Sequence, residues 1–300
     1  MPRRVDSHQH FWTLDRDDYG WLTPDLTLLY RDFLPPDLTP MLARARIHRT
    51  ILVQAAPTLG ETRYLLELAE RNDFIAGIVG WVDMEGAQAS IDILEALQGN
   101  PLFLGVRPMI QDIADPDWML RPTLTPVLEA LAAFGLTFDA LVKPLHLSNL
   151  LVLLHRHPEL RTVIDHGAKP DIAAGQWIPW AGWIDRIAEE TSAYCKLSGL
   201  ITEAGENQWF PELVPYMTYL LDSFGAQRLM WGSDWPVLNL RSDYAGWVAA
   251  ARRWLAPLPA AERDAIEGGN AARFYGLAGR GRQSVAAKAS SGSPQYHQAR

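Results

Sequence analysis

The chain has 300 residues, 48% hydrophobic and 21% charged, a globular composition that excludes a fibrous or wholly disordered protein. Its formal charge of -8 comes without a basic block in the body of the chain, so nothing favours a nucleic-acid or anionic-membrane partner. The single cysteine, Cys195, rules out an intrachain disulfide and a thiolate metal cluster, leaving nitrogen and oxygen as metal ligands.

The start, MPRRVDSH, runs from two arginines into a strand pattern with no signal-peptide stretch, and a cytoplasmic location is expected. The first strand pattern, 5–10, carries His8 and His10. Strand side chains two apart share a face, so both imidazoles are directed at one spot, a spacing suited to a metal ion. Further strand patterns fall at 50–55, 75–82, 102–108, 137–142, 162–166, 193–197 and 229–232. Between them lie helical patterns such as 61–71, 87–98, 125–134, 149–155, 183–190 and 211–224, with apolar residues recurring at three and four. Eight β-then-α units within roughly 250 residues predict a (β/α)8 TIM barrel. An open doubly wound sheet is the competing fold, but no glycine-rich dinucleotide loop follows the first strand. One domain over 1–279 is expected. The tail 280–300, rich in Ser, Gly and Ala without an apolar period, is expected to be disordered.

Barrel chemistry sits at the C-terminal strand ends. Those positions hold His8 and His10, Gln54, Trp81 or Asp83, Arg107, Lys143 with His146 beyond, His166, Ser198 and Asp234. Closing the barrel sets Asp234 beside His8 and His10, with His166 reaching across from strand six. That set makes a mononuclear metal site with room for water. Gln54, Trp81, Arg107, Lys143 and His146 are candidates to bind substrate, with surface ion pairing or core packing as the alternative. Two long connections, 12–36 and 167–182, carry Tyr19, Trp21, Tyr30, Trp177 and Trp180, and long loops of this kind often bind ligands. Cys195 reads as a buried structural thiol. Asn270 reads as the cap of the last helix.

The runs VDSHQHFW, VQAAPTLGET, VIDHGAKP, KLSGLITEA, GSDWPV and NAARFYGL resemble the amidohydrolase superfamily, in particular its amidohydrolase-2 branch of sugar lactonases. The resemblance spans residues 5 to about 277. It implies a (β/α)8 hydrolase that opens lactone rings, aldonolactones such as fuconolactone among them, in carbohydrate metabolism. It makes His8 and His10 first-strand metal ligands, His166 the sixth-strand histidine, and Asp234 the aspartate that handles the proton. One divalent ion, zinc first, is the implied cofactor, and catalysis without metal stays open. Arg107 replaces the bridging lysine or glutamate of two-metal members, and Lys143 stands where they have histidine, so a binuclear centre is not expected. Two alternatives remain at this point: a metal-dependent decarboxylase holding an aromatic carboxylate with Arg107 and Lys143, and a non-catalytic barrel that binds a sugar acid. The expected partner is a small lactone, and a homo-oligomer is compatible with the sequence.

Overall fold

Short runs rich in Val, Ile, Leu and Phe pair side by side because each is apolar enough to be covered on both faces, as a parallel sheet demands. The computed structural model describes residues 4–277, so the expected tail at 280–300 lies outside the described residues. The strands are β1 (Val5–Gln9), β2 (Arg49–Val53), β3 (Ile75–Gly80), β4 (Phe103–Val106), β5 (Thr137–Ala140), β6 (Arg161–Ile164), β7 (Tyr194–Leu197) and β8 (Leu229–Trp231). They form one sheet in sequence order, every neighbouring pair parallel. The sheet closes just past β8, where His10 N–H donates to the Trp235 carbonyl at 2.7 Å and Asp234 N–H to the His8 carbonyl at 2.8 Å. This is the TIM barrel that the alternation predicts.

Helices α1 (Pro35–Ala45), α2 (Leu59–Arg71), α3 (Ala87–Gln98), α4 (Thr125–Ala133), α5 (Leu147–Arg156), α6 (Trp180–Glu190), α7 (Phe210–Phe224) and α8 (Tyr244–Leu255) join or follow the strands. Each lays an apolar stripe on the sheet. On α8 the stripe is Tyr244, Trp247, Val248, Ala251 and Leu255, and each large side chain so buried contributes roughly 1.5–3 kcal/mol. Two short helices, α9 (Ala260–Asp264) and α10 (Asn270–Phe274), end the described chain. Asn270 is not the helix cap that its type suggests. It is buried, and its amide donates to the carbonyls of Ala226 and Leu229 at 2.8 and 2.5 Å, tying α10 to β8.

Alternation along the strands separates two apolar clusters. Leu52, Ile164, Cys195 and Leu197 face the helices, while Ile51, Val53, Val163 and Met230 fill the barrel's interior together with Phe274 and Tyr275 from the α10 region. Cys195 is a buried free thiol, and burial pushes its pKa well above the usual thiol value, which places it outside thiolate chemistry. Observed strands stop one or two residues short of most predicted ends. The residues beyond leave the ladder for tight turns, and those turns carry the site. Among the described residues no helix is long and apolar enough to cross a membrane.

Candidate active site

The β1 register slips between Asp6 and Gln9. A regular strand would send Val5 and His8, three apart, to opposite faces. The slip lets Val5 fill the barrel floor while His8 points inward above it with His10, as a bulge does when it re-aims a side chain. His8, His10, His166 and Asp234 are all buried. His10 Nε2 lies 3.2 Å from both His8 Nε2 and Asp234 Oδ1, and Asp234 Oδ1 lies 3.8 Å from His8 Nε2 and 3.9 Å from His166 Nε2. The four residues expected to make the site are thus brought together.

Backbone strain delivers two of them. Asp234 has φ +58 and His166 φ +54, and Gly167, Ala168 and Lys169 continue the left-handed run at +58, +62 and +50. Each non-glycine residue there costs roughly 1–2 kcal/mol, and such outliers gather where function over-determines the backbone. Gly199 is required for a different reason: a Cβ on it would sit 2.5 Å from His166 Nδ1.

His10 Nδ1 donates to the Val53 carbonyl at 2.8 Å, so in the neutral ring the Nε2 lone pair faces Asp234 Oδ1 at 3.2 Å. Burial lowers the pKa of His8 well below the usual imidazole value, with the Lys196 charge adding to it, and lowers His10 for the same first reason. His166 falls to about 4, again through burial. Burial alone would raise Asp234, but His166, the His10 hydrogen bond and His8 outweigh it and hold the carboxyl well below the carboxylate range. The His10 lone pair and the Asp234 anion therefore meet at His8 Nε2, and with His8 in the tautomer that leaves this nitrogen unprotonated the three make a donor set for a cation. Ligands about 2.1 Å from a tetrahedral ion stand about 3.4 Å apart, and the observed 3.2, 3.2 and 3.8 Å fit one ion among His8, His10 and Asp234. A second donor group, His8, Asp165 and His166, already faces a cation: Lys196 Nζ is 3.1 Å from His8 Nδ1 and 2.9 Å from Asp165 Oδ1.

Lys196, Asp139 and Asp165 have no role in the sequence reading, yet all are fully buried below the histidines. Lys196 Nζ donates to Asp139 Oδ2 at 2.6 Å, and Tyr275 Oη donates to the same oxygen at 2.6 Å. Burial opposes ionisation of Asp165, but Lys196 and His8 hold its carboxyl well below the usual range. The signal was strand parity. Cys195 and Leu197 face the helices, so Lys196 between them points into the barrel.

Arg107 lines the cleft, with Nη1 3.2 Å from His8 Nε2 and 3.5 Å from Asp165 Oδ2. Gln54 is buried beside it, donating to the Arg107 carbonyl at 2.7 Å and receiving the guanidinium at its own carbonyl. Gln54 therefore fixes Arg107 and does not line the cleft. Trp81, Lys143 and His146 also stand away from the lining. The Trp81 backbone pairs with Thr62 Oγ1, and the Lys143 N–H donates to His146 Nδ1 at 3.1 Å. The cleft, about 230 Å³, has His10, His166, Asp234 and Arg107 on its polar side and Leu26, Leu29, Leu141 and Leu240 among its apolar walls. Trp21 joins it from the first long loop, its indole donating to the Ala55 carbonyl at 2.7 Å. Trp177 and Trp180 pack instead with Tyr216 and Tyr219. A larger groove of about 520 Å³ between α1 and α8 touches none of these groups.

A parallel (β/α)8 barrel with a histidine and aspartate cluster at its C-terminal mouth defines a hydrolase-type barrel enzyme. The amidohydrolase family model matches residues 5–277, and the chain belongs to that family. It is 46% identical over 282 residues to an L-fucono-1,5-lactonase of Burkholderia ambifaria, covering 92% of this chain and 96% of that one. An L-fucono-1,5-lactonase of Burkholderia multivorans is 35% identical over 286 residues, with 91% and 96% covered. The crystal structure of an amidohydrolase from Burkholderia multivorans with bound zinc superposes with a TM-score of 0.87 at 35% identity, covering 92% and 99%.

Proposed function

We propose that the protein is a lactonase, a hydrolase of carboxylic ester bonds that opens a small sugar lactone of the L-fucono-1,5-lactone kind. The observation that carries the reading is the convergence of His8, His10 and Asp234 on one point at the floor of a cleft. The two lactonase relatives support the substrate class and a place in carbohydrate metabolism. They favour neither the decarboxylase nor the non-catalytic barrel.

Lactone hydrolysis needs an attacking water, stabilisation of the charge that forms on the carbonyl oxygen, and a proton for the departing ring oxygen. Asp234, held ionised, takes the proton from the water. The same carboxyl group, now protonated, returns it to the ring oxygen as the C–O bond breaks. Arg107 Nη1 brings a fixed positive charge to the cleft floor for the oxyanion. His166 is held by Ser198 Oγ, 2.8 Å from its Nδ1, which keeps its Nε2 toward Asp234 and the water. His8, His10 and Asp234 would hold a divalent ion, zinc by the relative's example, which when bound supplies a more acidic water and a polarised carbonyl. Without it, Asp234 acts on water alone while Arg107 Nη1 donates to the oxyanion. A carboxylate of such depressed pKa is a weak base, so the metal-free route is the slower one.

Lactones followed with a pH indicator, beside aromatic acids followed for carbon dioxide, test the reaction. Acid release from lactones alone is the expected result, and carbon dioxide without it would replace the lactonase by a decarboxylase. Elemental analysis of freshly purified protein, paired with activity before and after chelation, tests the ion. Full activity in metal-stripped protein would remove it from the mechanism.

A further inference from the structure

Lys169 was no candidate from the sequence, yet the fold spends strained backbone on placing it. The left-handed turn from His166 to Lys169 closes with the Lys169 N–H donating to the His166 carbonyl at 2.9 Å. Residues three apart on so tight a turn lie one above the other, and both side chains line the same cleft. The turn is locked from outside: the Trp180 indole donates to the Gly167 carbonyl at 2.7 Å, and Gly167 lies so close to Leu220 that a Cβ would meet it at 2.8 Å. Lys169 Nζ stands 3.3 Å from Glu203 Oε1, with the two side chains 21% and 24% exposed. This ion pair links the loop after β6 to the loop after β7 at the mouth of the cleft. An ammonium has three donors, and Glu203 takes one.

We propose that Lys169 is a specificity residue whose free donors hydrogen-bond ring hydroxyls of a polyhydroxylated lactone, so that the site favours sugar lactones over unsubstituted ones. The proposal rests on the lactonase reading. Besides its histidines, the cleft is lined by two basic residues, Arg107 and Lys169. Arg107 is committed to the floor by Gln54, His8 and Asp165. Gln111 and Asp112 also line the cleft, but the Gln111 amide donates to Asp112 Oδ2 at 3.3 Å, and Lys169 remains as the cation for the part of the substrate that does not react. A site built to bond a hydroxyl discriminates against the analogue that lacks it far more sharply than an apolar wall discriminates by size.

Wild type, Lys169→Met and Lys169→Arg are compared on L-fucono-1,5-lactone and on δ-valerolactone, which carries no hydroxyls. Lys169→Met is expected to lower kcat/KM on the sugar lactone by about 10–100-fold, mostly through KM, and on δ-valerolactone by no more than about threefold. The selectivity ratio then falls at least about threefold, and Lys169→Arg restores part of it. That ratio does not depend on how much of each variant folds. Parallel losses on both lactones would leave Lys169 as loop support and overturn the proposal, as would unchanged kinetics on both. A loss carried by kcat alone on the sugar lactone would also overturn it. Wild-type protein inert on every lactone would instead overturn the lactonase reading on which the proposal stands.

Discussion

Asp234 combines a left-handed backbone, φ +58, with a carboxyl that its histidine neighbours keep ionised. Asparagine at this position keeps the shape and removes both the charge and the proton acceptor. Asp234→Asn is expected to lower kcat by roughly a hundredfold or more, read with a pH-indicator assay on L-fucono-1,5-lactone, and near-normal turnover would take Asp234 out of the proton path. Gly199 is the second residue on which the site turns. Its φ of +64 disfavours any Cβ, and the space that a Cβ needs is occupied by His166 Nδ1 at 2.5 Å and Asp234 Oδ2 at 3.1 Å. Gly199→Ala is expected to destabilise the fold by about 1–3 kcal/mol and to push His166 off its line toward Asp234, lowering kcat at least about tenfold. Urea unfolding and steady-state kinetics measure the two effects separately, and an alanine variant with the wild-type kcat would show that His166 tolerates displacement.

At the scale of the element, α10 and the two residues after it close the lower end of the barrel, and the polar chain toward the site starts there. Tyr275 Oη donates to Asp139, Asp139 accepts from Lys196, and Lys196 reaches His8 and Asp165. Tyr275→Phe leaves a buried carboxylate one donor short, which costs about 1–3 kcal/mol. Chemical denaturation is expected to show that loss while KM stays near the wild-type value, because Tyr275 lies at the closed end of the barrel. A large rise in KM with no loss of stability would contradict this division of roles. The strands themselves were readable, since β-branched runs such as TILV and TVI recur between amphipathic segments and their order prescribes a barrel. The residues past the strand ends were readable as chemistry through their types, as with His8, His10, His166 and Asp234. Lys143 and His146 share that chemistry yet stand off the cleft, because strand-end position alone does not say where the following turn points. The slip in β1 and the left-handed turn at His166 left no mark that composition or period could reveal. Lys196 was hidden differently, by its charge, which reads as surface until the parity of Cys195 and Leu197 is applied.

Over the whole molecule, the buried ionisable groups divide by the sign of their linkage to pH. His8, His10 and His166 are held neutral in the fold, the last with its pKa down to about 4, so the folded state binds fewer protons than the unfolded chain between that value and the ordinary 6.5. Their stabilisation is fully present above 6.5 and is lost as the pH falls toward 4. Asp6 and Glu61 act in the opposite sense. Burial raises them to about 6 and about 8, although Asp6 accepts from Ser233 and Tyr244 and Glu61 accepts the backbone N–H groups of Ala55 and Ala56. Their stabilisation is fully present below the ordinary carboxyl values of 3.8 and 4.5 and is lost as the pH rises through 6 and 8. In metal-stripped protein the two trends set a stability maximum at about pH 6–7, with an acid limb driven by three histidines and a shallower alkaline limb carried by Glu61 up to about pH 8. Urea unfolding at intervals from about pH 4.5 to 8.5 is the measurement. Glu61→Gln, which cannot ionise, is expected to flatten the alkaline limb and leave the acid limb in place. An alkaline limb that persists in that variant would show that Glu61 is already ionised in the native fold, stabilised by the two backbone donors against the cost of its burial.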